Sequence, residues 1–476
     1  MLFNSYDFFF LFLPAVFAIY WGLRERKKQN LFLLAASWLF YGSWDWRFLS
    51  LLVFSTGVDF LCGLRIHAQA DDALRRRWLY LSLAVNLGVL GFFKYFGFFT
   101  QSAAQVFQAL GLPLKPPILD ILLPVGLSFY TLKAMSYVVD VYRRKIAPES
   151  DPTAFALFIA FFPQLVAGPI ERAQKLLPQI QSERRMRLES FYEGGWLVLW
   201  GVFKKVVVAD NLARGVNRVF DSSGPVPGPE LVIAIFSFTL QLYCDFSGYS
   251  DIACGLGRFF GFELSWNFER PFFSRTIQGF FRRWHTSLFE WFKDYVYLPL
   301  CGDGVGLAHR LAALLLTTGL IGLWHGARWS YVQWGVFNGV CLALLFWTRS
   351  WRISMKQNGI FPVDGSFYRV QEHLTALFFL FVSMFLFRVH SLEQAFSLSG
   401  GLLHWDWSRR AKAEALILGV LLIPLLWQEV REERSKDRFA ALRGGVLPRA
   451  LWYLFLLYAV VIFGEEHARE YVYYQF

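Results

Sequence analysis

The sequence predicts an all-α protein that crosses a membrane many times, and its composition and segment lengths both predict this class. Apolar residues make up 55% of the 476 residues and charged residues only 17%, whereas a soluble globular domain has about 25% charged residues. Apolar runs of about 18 or more residues recur along the whole chain, and a helix of about 20 residues spans the bilayer core. We count roughly ten to thirteen such segments, which predicts a multi-pass membrane protein.

Basic residues in the first third of the chain place alternate loops on one side of the membrane. The apolar segments 5–23, 48–64 and 118–139 are followed by the basic stretches RERKK, RIHAQADDALRRR and YRRK. Segments 31–43 and 78–99 cross back between them. Because Lys and Arg collect in cytoplasmic loops, these stretches mark the cytoplasmic side, and the first segment is predicted to be a retained span rather than a signal peptide.

Segment 153–170 interrupts this alternation. Basic residues both precede and follow it, so the chain is expected to enter and leave the segment on the cytoplasmic side. It contains Pro163, Gly168 and Pro169. Broken helices are tolerated at membrane depth where protein or a water-filled cavity surrounds them. We therefore predict a re-entrant element here.

The second half of the chain is predicted to contain an interfacial helix and further spans. Apolar and aromatic residues recur every three or four positions across 281–292, beside Arg282 and Arg283. This pattern is typical of a helix that lies along the membrane surface. The predicted spans are 190–208, 229–252, 311–324, 330–347, 373–390, 413–427 and 449–464, and the polar loops are 349–372 and 428–448.

The net charge of +11 suits either a nucleic-acid partner or basic cytoplasmic loops. We favour the loops, because positive charge collects there in multi-pass proteins, and we expect no nucleic-acid partner. The five cysteines are scattered, without the paired spacing of a metal site or a disulfide framework. We therefore expect no bound metal.

A histidine between two apolar segments is the first candidate for chemistry. His325 lies in LIGLWHGARWSYVQWG, directly after segment 311–324. That segment has 14 residues, so as a helix it covers about 21 Å, less than the ~30 Å of the hydrocarbon core. We therefore expect His325 at a bend inside the membrane or near its outer edge, where it serves either chemistry or packing against a neighbouring span.

A second histidine lies in the predicted interfacial helix. His285 follows Arg283 and Trp284 in the stretch FFRRWHTSL, which taken alone is typical of an interfacial anchor. Two histidines that each follow a tryptophan also suggest a catalytic pair, because imidazole transfers protons near neutral pH.

The stretch YCDFSGYSDIACGLGRFFG, residues 243–261, places acidic residues in an apolar segment. Asp245 and Asp251, with Tyr249 between them, are candidates for a functional site, because charge is costly in hydrocarbon. Alternatively, the two aspartates cap broken helix ends or pair with the arginines of FFRRWHTSL. The glycines favour close helix packing, and their spacing does not match a dinucleotide fingerprint.

Several motifs, in this order, resemble the membrane-bound O-acyltransferase (MBOAT) superfamily: LFLPAVFAIYW, LPVGLSFYTLKAMSYVVDVYR, FFPQLVAGPIER, QLYCDFSGYSDIACGLGRFFGF, NFERPF, FFRRWHTSLFEWFKDYVYLPL and GLWHGARWSYVQWGVFNG. The resemblance covers residues 1–347 and afterwards only EYVYYQF, and it points to the bacterial branch with the alginate O-acetyltransferase membrane subunit and the teichoic-acid D-alanyl transfer protein. It implies a ring of roughly 11 transmembrane helices, with re-entrant and interfacial helices around a central funnel that reaches the active-site histidine from each face. We expect one domain, 1–476, with N-terminal spans in 1–150, a catalytic core in 151–347 and C-terminal spans in 348–476.

The resemblance also implies roles for individual residues. His325, in the LWHG-type motif, and His285, in the RRWHxSL motif, match the family's catalytic histidines. The positions that match residues shaping the substrate site are Trp284, Asn267, Asp245 and Tyr249. Arg283 is a further candidate, with Trp284 and Asn267, for stabilising an oxyanion. The stretch CGDG, residues 301–304, departs from the branch's Gly-Gly-Asn-Arg-like run in a loop expected to contact the donor or a carrier protein.

The implied reaction moves an acyl group, acetyl being favoured, from a cytoplasmic thioester donor to an extracytoplasmic acceptor. The donor is acetyl-CoA or an acyl carrier protein, and no bound cofactor is expected. The implied partners are an extracytoplasmic SGNH-type transferase and a cell-surface polysaccharide, at the lipids of the bacterial cytoplasmic membrane. A proton-coupled transporter or flippase is the alternative, because buried Asp and His with broken helices also occur in carriers.

Overall fold

The computed structural model describes residues 3, 5–112, 119, 121–222, 224, 226–302, 304–347 and 366–464. Within these residues every regular element is a helix, which confirms the predicted all-α class. The sequence predictions for Asp303, for the loop residues 349–365 and for the C-terminal motif 470–476 lie outside the described residues.

The chain forms two compact units, Met1–Val198 with Ile252–Ser265, and Leu199–Asp251 with Trp266–Phe476. The helices that lie mainly in the first unit are α1 (Leu13–Gly22), α2 (Arg26–Gly42), α3 (Trp46–Ala68), α4 (Asp72–Leu90), α5 (Phe96–Ala109), α6 (Leu127–Tyr142), α7 (Pro152–Ala160), α8 (Phe162–Leu165), α9 (Ala173–Gln181) and α10 (Leu188–Val202). Those mainly in the second are α11 (Asp210–Phe220), α12 (Gly228–Phe259), α13 (Ile277–Phe281), α14 (Thr286–Phe292), α15 (Leu298–Cys301), α16 (Leu307–His325), α17 (Trp329–Trp347), α18 (Ser366–Arg388), α19 (Leu392–Gly400), α20 (Arg409–Ser435) and α21 (Val446–Phe463).

Two long helices of the first unit begin at aspartate caps. The side chain of Asp45 accepts a hydrogen bond from the backbone N–H of Arg47 at 2.9 Å, and Asp71 accepts one from Ala73 at 2.9 Å. Each bond satisfies an N–H group that has no partner within its own helix. α3 has 23 residues, which at 1.5 Å per residue is about 34 Å, enough to cross a bilayer.

The first unit also contains the helix break that the sequence predicts within 153–170. α7 ends at Ala160 and α8 begins at Phe162, because Phe161 has φ −52° and ψ 109° rather than helical angles. Every residue from Leu157 to Ile170 is buried. The broken segment is therefore enclosed by protein, the condition under which broken helices are tolerated at membrane depth.

Among the described residues, eight helices are long and apolar enough to cross a membrane. They are Trp46–Ala68, Asp72–Ala109, Gly228–Phe259, Leu307–His325, Trp329–Phe346, Val370–Arg388, Arg409–Ser435 and Val446–Phe463. A shorter apolar helix covers Asp7–Gly22. The multi-pass membrane class is thus confirmed, whereas the count of roughly 11 spans stays a prediction.

The span that ends at His325 is longer than the sequence predicts. The predicted segment 311–324 excludes Arg310 as a loop residue, but α16 runs from Leu307 to His325 and has 19 residues. Its length is about 28 Å, so the predicted shortfall is wrong. A long arginine side chain can remain exposed at the end of a span while its backbone stays helical. His325 therefore lies at the end of a nearly full-length span.

α16 and α17 form a closely packed hairpin in the second unit. A Cβ atom on Gly322 would overlap the carbonyl oxygen of Tyr331, and one on Gly335 would overlap that of Thr318. Small residues allow two helix backbones to approach this closely. The contact places His325, the last residue of α16, against the start of α17.

The predicted interfacial helix across 281–292 is broken. α13 ends at Phe281 and α14 begins at Thr286, and His285 between them has φ 43° and ψ 49°. A single continuous apolar stripe is therefore the wrong description, because the left-handed turn redirects α14. This conformation costs roughly 1–2 kcal/mol in a residue other than glycine, so the surrounding contacts must hold it.

Candidate active site

His325 is surrounded by aromatic rings at the C-terminal end of α16. Its ring centroid lies 5.1 Å from that of Trp324, 5.2 Å from Trp334 and 5.4 Å from Phe387. All three contacts are edge-to-face. The residue is 7% exposed. These rings limit the access of water and fix the plane of the imidazole.

His285 occupies the left-handed position directly before α14 and is 1% exposed. The ring of Phe246, on α12, lies perpendicular to it with the centroids 4.5 Å apart. Burial, and to a lesser degree the neighbouring His325, hold the pKa of His285 well below its usual range. The imidazole is therefore uncharged at neutral pH.

The structure brings the two predicted histidines together, although they come from different elements. The ring centroids of His285 and His325 are 6.4 Å apart, with an angle of 60° between the planes. Trp324 contacts both rings, at 5.8 Å from His285 and 5.1 Å from His325. The left-handed turn at His285 and the end of α16 together form this pair.

Asn267 is tied to the two residues that follow His285. Its backbone oxygen accepts the N–H of Thr286 at 3.0 Å, and its Oδ1 accepts the hydroxyl of Ser287 at 2.6 Å. Because Oδ1 is the acceptor for Ser287, Nδ2 is the donor end of the amide. Nδ2 is buried and has no hydrogen-bond partner among the residues that the structure describes. Since such a donor is costly to leave unmatched, it is suited to an oxygen atom of a substrate.

A chain of hydrogen bonds holds Trp334 against His325. The indole N–H of Trp334 donates to the hydroxyl of Ser383 at 2.9 Å, and that hydroxyl donates to Oδ1 of Asn338 at 3.0 Å. The amide of Asn338 donates back to the carbonyl of Trp334 at 2.7 Å. The network joins α17 to α18 and limits rotation of the ring that faces His325.

Trp284 and Arg283 make other contacts. Trp284 stacks on Phe280 at 5.2 Å and lies 5.1 Å from Phe268, which also faces His285 at 6.5 Å. Arg283 forms an ion pair of 3.4 Å with Glu433. Trp284 is thus linked to the histidine pair through a ring, whereas Arg283 belongs to a charged cluster with α20. Substrate binding by either residue stays a prediction.

The aspartates of α12 pair with lysines of the second unit rather than with Arg282 or Arg283, and Asp251 also contacts Arg438 at 3.5 Å. Nζ of Lys205 lies 2.8 Å from Asp245, and Nζ of Lys204 lies 2.6 Å from Asp251. Tyr249, on the same helix, is also buried. Asp245 and Tyr249 therefore lie in the second unit with the histidines, but contact with a substrate stays a prediction for both.

Sequence reasoning missed several residues around the site. They are Trp324, Trp334, Phe246, Phe387, Lys204 and Lys205. Trp324 directly precedes His325, and Trp334 follows it by nine positions in the same motif. Two lysines inside the apolar segment 190–208 are also unusual, so the sequence contains a signal for both groups. The two phenylalanines resemble any other apolar residue of a span and carried no signal.

Two arginines, Arg328 and Arg388, lie on either side of the His390 ring. Nη1 of Arg328 lies 3.0 Å from Nδ1 of His390, and Nη1 of Arg388 lies 3.4 Å from Nε2 of the same ring. Arg388 also pairs with Asp221 at 3.0 Å. Burial, and then the two arginines, lower the pKa of His390 below its ordinary value. Arg328 follows His325 by three positions and Arg388 follows Phe387 directly, so positive charge lies near the aromatic frame.

The groups of the site suit proton transfer and hydrogen bonding. Two buried imidazoles can exchange protons, and the amide of Asn267 can donate to an oxygen. In the described part of the chain, no group of three or more His, Cys, Asp or Glu side chains is arranged to hold a metal ion.

Comparison with known proteins places these residues in a family. The model of the membrane-bound O-acyltransferase family, MBOAT, matches residues 143–384, which include both histidines. The chain is 37% identical over 430 residues to a probable alginate O-acetylase of Azotobacter vinelandii, covering 89% of this chain and 83% of that protein. It is 35% identical over 374 residues to a peptidoglycan O-acetyltransferase of Helicobacter pylori, covering 72% and 70%. It is 24% identical over 245 residues to a teichoic acid D-alanyltransferase of Bacillus subtilis, covering 49% and 61%.

Proposed function

This chain belongs to the membrane-bound O-acyltransferase family, and from that premise we propose that it transfers an acetyl group from a thioester donor to a hydroxyl acceptor for the O-acetylation of a cell-surface polysaccharide. Membership makes it an O-acyltransferase of the bacterial cytoplasmic membrane. The observation that carries the proposal is the pair of buried imidazoles, His285 and His325, with ring centroids 6.4 Å apart.

Acetyl transfer requires a base for the acceptor and a proton for the leaving thiolate. We assign His325 as the base, because it is the more exposed of the two histidines. Its imidazole takes the proton of the acceptor hydroxyl, and the oxygen attacks the thioester carbonyl. The tetrahedral intermediate then collapses, the C–S bond breaks, and the imidazolium returns the proton to the sulfur.

The oxyanion of the tetrahedral intermediate needs a fixed donor. Nδ2 of Asn267 supplies one, and its orientation is set in advance by the bond from Ser287 to Oδ1. Because the site is lined by rings and limits water, such a donor stabilises the developing charge more strongly than it would in water. His285, which is uncharged, positions the thioester or His325 through its own ring nitrogens.

The choice of acetyl and of a polysaccharide acceptor is supported by the relatives. Two relatives that share more than a third of their residues with this chain over most of its length are described as O-acetyl-transferring proteins, acting on alginate in one case and on peptidoglycan in the other. Acetyl-CoA or an acyl carrier protein as donor, and an extracytoplasmic SGNH-type transferase as the relay to the polymer, complete the proposal.

The test compares strains that express wild type or His325→Gln at equal membrane abundance. We expect wild-type cells to carry acetate on a surface polymer that mild alkali releases, and the variant to lose about 10²–10⁴-fold of the transfer rate, as expected on removal of a general base. Mass analysis of the deacetylated polymer identifies the acceptor. Membrane vesicles supplied with labelled acetyl-CoA or with an acetylated carrier protein identify the donor.

His404→Gln is the matched control, because His404 is an exposed histidine outside the site. It should leave the acetate level unchanged. Normal acetylation in the His325→Gln strain would overturn the assignment of the base. Transport of a substrate by vesicles without cleavage of a thioester would overturn the proposed reaction.

A further inference from the structure

The first unit contains a basic cleft that the proposed reaction does not use. Its volume is about 600 Å³, and it is formed by the segment 178–190 and by residues 258–263. Four arginines line it, Arg184, Arg185, Arg187 and Arg258, against two glutamates, Glu183 and Glu263. Volumes of this size hold small ligands in many proteins, and the excess of guanidinium groups favours an anion.

One wall of the cleft is rigid. The guanidinium of Arg184 donates to Oδ1 of Asn30 at 2.6 Å and lies 4.9 Å from the centroid of the Phe262 ring. A Cβ atom on Gly261, which has φ +81°, would lie 3.3 Å from the Arg184 side chain. Arg258 is held by an ion pair with Glu193, which offsets its charge and leaves three arginines of the lining against two glutamates. Two of the four arginines are therefore positioned before any ligand binds.

The segment beside the cleft alternates arginine with exposed apolar side chains. Met186 is 55% exposed, and Leu188, Phe191 and Tyr192, near the start of α10, are 64%, 39% and 60% exposed. In a membrane protein, exposed apolar and aromatic residues next to basic residues are typical of the headgroup level of the bilayer. The cleft thus offers guanidinium groups for a headgroup next to apolar side chains for acyl chains.

Residues 182–187, SERRMR, contribute three of the four arginines of the cleft. The positive-inside rule assigns this basic stretch to the cytoplasmic side, where the leaflet is rich in anionic lipids. Guanidinium groups bind phosphate oxygens through paired hydrogen bonds, which an ammonium group cannot match. We propose that this cleft binds the phosphate group of an anionic phospholipid of the cytoplasmic leaflet. The proposal does not depend on the acyltransfer reaction.

The test measures which lipids stay bound to the purified full-length protein. Native mass spectrometry after exchange into mixed micelles of phosphatidylglycerol and phosphatidylcholine should show one preferentially retained phosphatidylglycerol. The double substitution Arg185→Gln with Arg187→Gln should weaken this retention at least tenfold, because both side chains are exposed and line the cleft. The thermal unfolding midpoint should stay at the wild-type value.

The double substitution Arg76→Gln with Arg77→Gln is the matched control, because it removes the same charge from another exposed basic stretch. It should leave retention unchanged. Equal retention of the two lipids by wild type, or equal loss in both double variants, would overturn the proposal. Displacement of phosphatidylglycerol by inorganic phosphate or by adenosine 3′,5′-bisphosphate at concentrations that match the protein would also overturn it, in favour of a soluble phosphate ligand.

Discussion

Two buried polar clusters of the second unit are built in opposite ways. In the histidine cluster, aromatic rings surround two imidazoles, and His285 is uncharged. In the lysine cluster, the ammonium of Lys205 lies 2.8 Å from both Asp210 and Asp245, and neither Lys205 nor Asp245 is exposed. The lysine cluster therefore consists of opposite charges that compensate one another, whereas aromatic rings enclose the histidine cluster.

The lysine cluster contains polar groups that hold the fold, whereas the histidine cluster contains polar groups that are candidates for chemistry. A buried charge is costly unless it is paired, so the pairing of Lys205 with Asp210 and Asp245 accounts for their burial without a substrate. Neutral imidazoles tolerate an apolar frame and keep their capacity to exchange protons. The two clusters are nevertheless connected, because Asp245 of the lysine cluster directly precedes Phe246, which packs on His285.

The largest expected effect is on the histidine cluster. His285→Asn should lower the transfer rate by about 10²–10⁴-fold, the range for loss of a group that moves or orients a proton. Asparagine tolerates the left-handed conformation at this position, so the turn should persist. Transfer rate and thermal unfolding are measured on the same preparation. A loss of rate that only follows a loss of folded protein would show that His285 is structural.

The next effect is on the lysine cluster. Lys205→Met should destabilise the protein by about 3–5 kcal/mol, because Asp245 and Asp210 would stay buried without the ammonium that lies 2.8 Å from each. The yield of monodisperse protein and the unfolding midpoint should fall, while Lys205→Arg should retain more of both. A variant that folds normally but does not transfer acetyl would contradict the structural role of Lys205, because it would place the lysine cluster in the chemistry.

A smaller effect is expected at Asn267, the amide that hydrogen-bonds to Thr286 and Ser287. Asn267→Ala should lower the rate by about 10²–10³-fold, as does loss of one oxyanion donor in other acyl-transfer sites. Ser287→Ala is the matched control, because it removes the bond to Oδ1 and leaves the Nδ2 donor in place. We expect Ser287→Ala to lose less than tenfold, because the amide keeps its Nδ2 donor and is only held less firmly. A loss of less than tenfold in Asn267→Ala would refute the donor role.

The smallest effect concerns the support of Trp334. Ser383→Ala removes the acceptor of the Trp334 indole N–H. We expect the stabilisation of the transition state to fall by roughly 1 kcal/mol, which lowers the transfer rate about fivefold. Thr375→Ala on the same helix serves as the comparison, since its hydroxyl is exposed and bonds only to the backbone of its own helix. Equal rates for the two variants would remove the hydrogen-bond chain from the positioning of His325.

Much of the architecture could be predicted because local patterns determine it. Apolar run length predicted most spans within a few residues, and Pro163 with Gly168 correctly indicated a break, since prolines and glycines act within one or two turns. The sequence predicts that this span begins at residue 311, because a basic residue usually marks the edge of a span, whereas the backbone of Arg310 is helical and α16 begins at Leu307. The sequence predicts one continuous interfacial helix because apolar residues keep helical spacing through 281–292, and no glycine or proline within it marks the left-handed turn at His285.

The membrane class and the approximate positions of most spans follow from the sequence, because hydrophobicity and run length are local properties of the chain. The expectation of acyl transfer came from the resemblance of the His285 and His325 motifs to the MBOAT superfamily. Helix packing, by contrast, brings His285 and His325 into one aromatic frame, pairs Asp245 with Lys205, and leaves the Nδ2 group of Asn267 as a donor. These contacts join residues that are far apart in the chain, so they depend on which helices pack together and at what distance, and no local pattern encodes that choice.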